Sequence, residues 1–179
     1  MKNIFFFITN FFLIASCVQT KSRDPINSNK KSFLNKSVDR NIDIQRKEKI
    51  IFQKIIERDS KSKYIVSDKG YYFKILNSSK KKLKPKSGDQ VEFIYNIFDV
   101  EGNDLYIDDN LKQIKYVVDK EEIIPGLRYG IKELRVGESG IFLTPSFLGY
   151  GYQGDGEKII PNQPLIIKIN LISLKTSIN

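Results

Sequence analysis

The stretch Ile123–Gly151 most constrains the fold, because it reads as one short helix followed by one strand, and neither is stable alone. Pro125 suits the first turn of a helix, where a missing N–H leaves nothing unsatisfied. Leu127, Ile131 and Leu134 then recur at helical spacing and form a single apolar face. Since an isolated helix of this length is marginal in water, a sheet must cover that face.

The residues around this helix predict how it ends and how closely it packs. Gly130 allows close approach of another backbone, at a cost in helix propensity. Gly137 predicts the end of the helix, in the left-handed conformation that glycine adopts readily. Ser139–Thr144 then predicts a strand that ends at Pro145, because proline cannot donate to the hydrogen-bond ladder of a sheet.

The remaining strands come from both sides of this stretch. Apolar residues bounded by turn residues predict them at Tyr71–Leu76, Val91–Asp99, Leu105–Ile107, Ile114–Val118 and Leu165–Leu174. The connections are short, and strands do not alternate regularly with helices. We therefore expect an α+β fold, in which a curved antiparallel β-sheet wraps over one short helix.

Residues 1–17 have the layout of a secretory signal: a lysine, an apolar run that is short for a membrane span, and small residues before Cys17. Ile14–Cys17 resembles a bacterial lipobox, which predicts cleavage before Cys17 and lipidation of that residue. An ordinary signal peptide with an incidental cysteine is the alternative. Acyl chains on Cys17 would hold the protein on a membrane, so we expect it in the cell envelope, at the outer membrane facing the periplasm.

Three further segments follow the predicted signal. Residues 18–40 are polar and rich in Ser, Asn and Lys, which predicts a flexible tether. Residues 41–60 carry Ile44, Ile51 and Ile55 on one face and predict an N-terminal helix. This helix either packs on the domain or pairs with another copy of the chain. The folded domain is expected over residues 64–179.

The composition excludes several kinds of chemistry. The 179 residues include no histidine, no tryptophan and a single cysteine, so a histidine-based triad and a Cys/His zinc site are excluded. We expect no metal and no cofactor, and chemistry without proton transfer is favoured. The net charge is +9, but the one tight basic run, Lys80–Lys86, lies in a predicted loop without a nucleic-acid-binding motif. We expect no nucleic-acid partner, and a basic surface adhesin or nucleic-acid binder is the alternative.

Three segments carry a family resemblance: VEFIYNI with the turn EGN, EIIPGLRYGIKELRVGESGIFLTPSFLGYG, and IIPNQPLIIKINLISL. Their glycines, prolines and aromatic residues are similar in order to those of the FKBP-type peptidyl-prolyl cis-trans isomerases, over about Lys69–Lys175. With the signal, tether and helix in front, the chain most resembles the gliding-motility-associated FKBP lipoproteins of Bacteroidetes (GldI-like). The resemblance implies an isomerase that acts on proline-containing polypeptides and assists the folding of exported envelope proteins.

The resemblance also implies an apolar cup that binds an X-Pro segment between the sheet and the helix. By position, the catalytic residues would be Tyr95, Tyr106, Ile124, Leu127 and Tyr150, and the substrate-binding residues Leu105, Ile114, Ile123, Ile159, Ile160 and Ile167. Tyr150 would supply a rim hydroxyl, and the backbone N–H of Ile124 would bind a ligand carbonyl. Leu127 stands where well-known members have tryptophan, and Tyr106 where many have aspartate. These departures predict a wider cup, and the alternative is a catalytically weak binding module or chaperone.

Overall fold

The computed structural model describes residues 30–106 and 113–177, with side chains from Leu34 onward. The predicted signal peptide with Cys17, residues 18–29 of the predicted tether, and the last two residues of the predicted domain lie outside the described residues. The chain divides into two units between Ser37 and Val38, and all packing described below lies within the unit that begins at Val38.

Helices and strands follow one another in an order that matches the predicted α+β pattern. Their bounds are α1 Lys30–Arg58, β1 Ile65–Val66, β2 Tyr72–Asn77, β3 Gln90–Phe98, β4 Ile114–Val117, α2 Pro125–Glu133, β5 Ser139–Thr144, a 3-10 helix Ser146–Leu148 and β6 Leu165–Lys175. The predicted start of α2 at Pro125 and both ends of β5 are confirmed. β2, β3, β4 and β6 lie within one residue of their predicted bounds, which is the usual uncertainty of such ends.

The strands form one antiparallel sheet in the order β1-β2-β5-β6-β3-β4. β6 lies near its centre and pairs with both β5 and β3, so that Ile167 lies between Phe142 and Ile97. The register of β3 against β6 shifts between Glu92 and Phe93, and such a bulge bends a strand and increases its twist. The expected antiparallel sheet with one short helix packed on it is confirmed.

Helix α2 packs its apolar face onto this sheet at close range. Leu127 and Ile131 are almost completely buried. A Cβ atom added at Gly130 would lie 2.6 Å from Cδ1 of Ile169 on β6 and 3.3 Å from the ring of Phe142 on β5. Gly130 thus gives room to side chains of the sheet and not to the backbone that was predicted there, and it brings the middle of α2 close to β5 and β6.

The prediction that Gly137 stops this helix is wrong. Helix α2 ends at Glu133, and Leu134 is already extended, with φ −95° and ψ 150°. Leaving the helix there lets the Leu134 side chain enter the core, where it is fully buried. Gly137 does have a left-handed φ of +86°, but it lies in the turn before β5, where its N–H donates to the carbonyl of Leu171. Tertiary packing and not the local stop signal decides where the helix ends.

The predicted boundary between the tether and the N-terminal helix also needs correction. Helix α1 begins at Lys30 instead of residue 41, so residues 30–40 of the predicted tether are helical. No glycine or proline occurs between Pro25 and Gly70, and the Ser and Asn residues of this segment disfavour a helix only weakly. Within the described residues, no helix combines the length and the apolar character needed to cross a membrane.

Beyond Val38, α1 packs on the domain, which is one of the two predicted alternatives. Phe52 is 1% exposed, and its ring meets the ring of Tyr72 on β2 edge-on at 6.0 Å.

Two details of the strands differ from expectation. The two-residue strand β1 was not predicted, and Asp104 makes only a single bridge to Phe98 where a strand was expected at residues 105–107. Ile107 itself lies outside the described residues.

Candidate functional site

The predicted site residues come from separate elements of the fold and gather around one apolar core cluster. Leu127, Ile159 and Ile167 belong to the buried part of this cluster, and Tyr95, Leu105, Tyr106, Ile114, Ile123, Ile124 and Tyr150 pack against it with part of each side chain exposed. Ile160 is the exception, since 66% of it is exposed. We call this arrangement the cup. Its floor is the buried residues Leu127, Ile159 and Ile167, and its rim is the partly buried side chains packed against them.

The floor of the cup is formed where α2 meets β6. Leu127 on α2 and Ile167 on β6 are 1% and 0% exposed. Gly126 brings the two elements together, because a Cβ there would lie 3.2 Å from Cδ1 of Ile167 and 2.7 Å from Cγ2 of Thr144. Ile159 closes the floor from the loop before β6 and is also buried.

Two half-buried tyrosines stand at the rim. Burial raises the pKa of the Tyr95 phenol. The pKa of Tyr150 is raised as well, by burial first and then by the nearby Tyr95. Phe93 holds the Tyr95 ring from the core side, with ring centroids 5.9 Å apart. Both phenols therefore stay protonated at neutral pH and retain an O–H donor.

Ile124 presents a backbone donor next to the cup. It precedes the first residue of α2, with φ −55° and ψ 141°, and its carbonyl accepts the N–H of Arg128 at 3.1 Å. Within the described residues its own N–H donates to no acceptor. Free N–H groups are normal at the start of a helix, and here one lies beside an apolar surface.

A carboxylate lies near Tyr106, at a position that the sequence did not predict. Asp104 accepts the backbone N–H of Tyr106 at 3.0 Å and the amide of Asn96 at 3.3 Å. On the other side, Nζ of Lys158 lies 5.1 Å from the centroid of the Tyr106 ring. Asp104 and Lys158 are thus neighbours of the site that were missed, because neither has a local sequence signal. The described residues contain no group of His, Cys, Asp and Glu that would hold a metal ion.

Hydrogen bonds within the chain shape the loop that carries Ile159. One carboxylate oxygen of Asp155 accepts the N–H groups of Glu157, Lys158 and Ile159 at 2.9, 3.0 and 2.9 Å. The N–H of Asp155 in turn donates to the carbonyl of Ile159 at 3.1 Å. The loop is therefore closed on itself, and Ile159 points inward while the neighbouring Ile160 stays exposed.

Comparison with known proteins gives the family. Residues 81–172 match the family model described as FKBP-type peptidyl-prolyl cis-trans isomerase. FK506-binding protein 2 of Dictyostelium discoideum is 32% identical over 94 residues, which are 51% of this chain and 70% of that protein. The probable FKBP-type peptidyl-prolyl cis-trans isomerase FkpA of Neisseria meningitidis serogroup B is 38% identical over 53 residues, and the chain spans only 20% of its length.

Solved structures agree in fold. A peptidyl-prolyl cis-trans isomerase from Pseudomonas syringae superposes with a TM-score of 0.59 at 21% identity, over 74% of this chain and 94% of that one. FkpA from Escherichia coli gives a TM-score of 0.57 at 20% identity, over 97% and 81% of the two chains. These likenesses establish the fold, and the family match spans every residue of the cup from Tyr95 to Ile167. The chain therefore belongs to the FKBP-type peptidyl-prolyl cis-trans isomerases, whose substrates are proline-containing polypeptides.

Proposed function

We propose that the cup is the place where this enzyme rotates the X-Pro bond, with Tyr95, Ile124, Leu127 and Tyr150 in contact with the substrate. The observation that carries this proposal is the convergence of these residues from β3, α2 and the turn after β5 on one apolar cluster. A pyrrolidine ring is apolar and suits a floor of aliphatic side chains. The N–H of Ile124, which donates to no acceptor within residues 30–106 and 113–177, and the phenol of Tyr150 supply donors for the carbonyls on either side of the ring.

The chemistry needs no proton transfer, which agrees with a chain that has no histidine. Amide resonance separates charge in the planar X-Pro bond and opposes its rotation with a barrier of about 18–20 kcal/mol. The twisted transition state has lost this resonance and is less polar at oxygen. An apolar cup therefore disfavours the planar form relative to the twisted one, while donors at the rim hold the neighbouring carbonyls.

The required energy is within reach of such a site. A thousandfold acceleration corresponds to a reduction of the barrier by about 4 kcal/mol. Only interactions that are stronger in the transition state than in the ground state contribute to this reduction. Differential packing against the partly exposed Tyr95, Ile124 and Tyr150, together with one or two hydrogen bonds of about 1 kcal/mol each, is of the required order.

Tyr150→Phe tests the rim donor directly. We expect kcat/KM for a proline tetrapeptide to fall about fivefold, because a hydrogen bond of about 1 kcal/mol is lost while the ring is kept. The matched control is Tyr152→Phe, since Tyr152 is a neighbouring tyrosine that is 72% exposed. A protease-coupled isomerisation assay measures both variants. Equal activity of Tyr150→Phe and the unaltered enzyme would contradict the proposed role.

A second function, peptide binding with little catalysis, is favoured by the aliphatic residues of the floor. Leu127 and Ile167 are aliphatic and almost completely buried, so they offer a proline ring less contact area than an exposed aromatic ring would. Turnover at micromolar enzyme separates the two functions. Acceleration over the uncatalysed rate supports the isomerase, whereas binding of proline peptides without acceleration supports the binding module or chaperone.

The proposed cellular place is the envelope, with the protein held at the outer membrane, facing the periplasm, by acyl chains on Cys17. The support is the signal-like segment ending in Ile14–Cys17, in which small residues directly precede the single cysteine. Cys17→Ala should abolish lipid labelling and release the protein from the membrane fraction. Unchanged processing under a signal-peptidase-II inhibitor would instead favour an ordinary signal peptide.

Within the envelope, the proposed role is the folding of exported proteins, including components of the gliding machinery. The support is the combination of lipobox, N-terminal segment and isomerase domain in one chain. Deletion of the gene should reduce colony spreading, and a Tyr150→Phe allele should restore spreading less well than the unaltered allele. Normal spreading in the deletion strain would contradict a role in gliding. The general folding role would then be tested by measuring the abundance of envelope proteins in the deletion strain.

A further inference from the structure

We propose that helix α1 positions the catalytic site, with Glu48 as the positioning residue that holds the turn carrying Tyr150. This inference rests on the proposed function of Tyr150 in the cup. Glu48 lies on a helix outside the part of the chain that the family model matches. Among the described residues its hydrogen bond goes to Ser146 of the turn, so we expect any effect on turnover to pass through the turn.

The contact itself is buried on both sides. Glu48 is 3% exposed and Ser146 is 4% exposed. The backbone N–H of Ser146 donates to Oε1 of Glu48 at 3.1 Å. Ser146 follows Pro145, which has no N–H, so it carries the first backbone donor after β5. Without Glu48 this buried N–H would have no partner among the described residues, and a buried unpaired donor is costly.

Ser146 also holds the backbone on both sides of Tyr150. The carbonyl of Ser146 accepts the N–H of Gly149 at 3.0 Å and the N–H of Gly151 at 2.8 Å. Tyr150 lies between these two glycines, and Gly151 adopts a left-handed φ of +62°. The position of the Tyr150 ring is therefore coupled to that of Ser146, whose N–H is held by Glu48.

Leu148 anchors the far end of this turn in the core, whereas open space adjoins its contact with α1. A cavity of about 270 Å³ lies on one side of the contact, lined by Phe52, Tyr72 and Phe147 among others. A second cavity of about 300 Å³ adjoins Ser146, and Ile44 and Gly151 contribute to its lining. Phe147 borders both cavities and is half exposed. Among the described residues, the hydrogen bond from Ser146 to Glu48 is the polar link between α1 and the turn.

A double-mutant cycle with Tyr150 tests this link. We expect Glu48→Leu, which keeps the bulk but removes the acceptor, to lower kcat/KM about five- to tenfold, because a misplaced donor contributes less to the transition state. In the Tyr150→Phe background the same change should have little further effect, since both act through one hydroxyl. Glu48→Gln keeps a carbonyl acceptor and should restore activity to within about twofold of the unaltered enzyme.

The control and the opposing outcomes are distinct. Glu57→Leu changes an exposed glutamate of the same helix and should leave kcat/KM unchanged. If Tyr150→Phe has no effect on turnover, the proposed function of Tyr150 fails. If Tyr150→Phe lowers activity but Glu48→Leu is silent, or its effect is equal in both backgrounds, the positioning role fails. Should Glu48→Leu not fold, Glu48→Asp is used in the same cycle, because its shorter side chain withdraws the acceptor and keeps the charge.

Discussion

At the scale of single residues, backbone geometry in the loop before β6 decides whether Ile159 reaches the floor. Gly154 and Gly156 both adopt left-handed conformations, with φ of +70° and +80°. Their surroundings differ, because a Cβ at Gly154 would lie 2.2 Å from the carbonyl oxygen of Ile159, whereas a Cβ at Gly156 would meet open space. The two positions therefore separate conformational strain from a collision with the backbone.

Alanine substitutions at these glycines provide the first prediction. Gly156→Ala should lower the free energy of unfolding by about 1–2 kcal/mol, the cost of a left-handed L-residue. Gly154→Ala should lower it further and also reduce kcat/KM, because the backbone of Ile159 must move. Urea unfolding and the isomerisation assay measure the two effects. Equal losses at both positions would contradict the collision.

At the scale of elements, α1 is attached to the domain through few side chains. Phe52 lies against Tyr72, and Glu48 accepts from Ser146, while Ile50 on the same helix remains 47% exposed. An amphipathic helix derives most of its stability from the face that it buries. The docking of α1 should thus depend on Phe52 far more than on its other apolar residues.

Phe52→Ala tests this dependence. It should reduce the free energy of unfolding by about 3–5 kcal/mol, the usual cost of removing a buried aromatic side chain. Ile50→Ala is the matched control and should change stability by no more than about 0.5 kcal/mol, as is usual for surface positions. Thermal unfolding followed by circular dichroism compares them. Similar melting temperatures for the two variants would show that α1 does not dock through Phe52.

Glu48 also gives this docking a pH dependence. Burial raises its pKa, although the hydrogen bonds from Ser146 partly oppose the shift. A raised pKa in the folded state contributes stability that is present below the unfolded value of about 4.3 and is lost as the pH rises through the folded value. The charged and titratable neighbours that line the cavity next to it are Lys49 and Tyr72.

Glu48→Gln should therefore raise the free energy of unfolding at pH 7 more than at pH 4, because the amide never carries the buried charge. Urea denaturation at the two pH values measures the difference. Lys49 is unchanged in this variant, so the comparison isolates the charge of Glu48. A stabilisation that is independent of pH would show that the pKa of Glu48 is the same in the folded and unfolded protein.

At the scale of the whole molecule, several other carboxylates have lowered pKa values, whereas the pKa of Glu48 is raised. Burial alone would raise the pKa of Glu138, but hydrogen bonds from the backbone N–H groups of Arg135 and Ser79, and the charge of Arg135, lower it. The donors lie 2.9 and 3.1 Å from its oxygens. Against the effect of burial, the pKa of Asp99 is lowered by the side-chain amide of Asn103 and by backbone N–H groups, and that of Asp155 by backbone N–H groups.

We expect stability to fall in acid for this reason. Lowered folded pKa values contribute stability that is present above the unfolded values of about 3.9–4.3 and is lost as the pH falls through the folded values. The urea midpoint should decline between about pH 4 and pH 2, and Glu138→Gln should flatten part of the decline. An unaltered slope in Glu138→Gln would mean that other carboxylates carry the effect.

Local patterns were sufficient for most of the elements but not for their connections. Pro125 and Pro145 bound α2 and β5 where expected, because the geometry of proline acts on its own backbone. The end of α2 was misplaced, since Leu134 leaves the helix to enter a core that no local pattern describes. The contact from Glu48 to Ser146 had no sequence signal either, because it joins residues that are adjacent only in space.

The sequence by itself determined the strands, the short helix and the family, since periodic burial and turn residues are local properties and the order of motifs is read along the chain. Only the tertiary structure decided that α1 begins at Lys30, that beyond Val38 it lies against the turn of Tyr150, and that Ile159 is buried while Ile160 is exposed. These features depend on which surfaces pack against one another. That packing is decided by the free energy of the whole folded molecule, to which residues far apart in the chain contribute together.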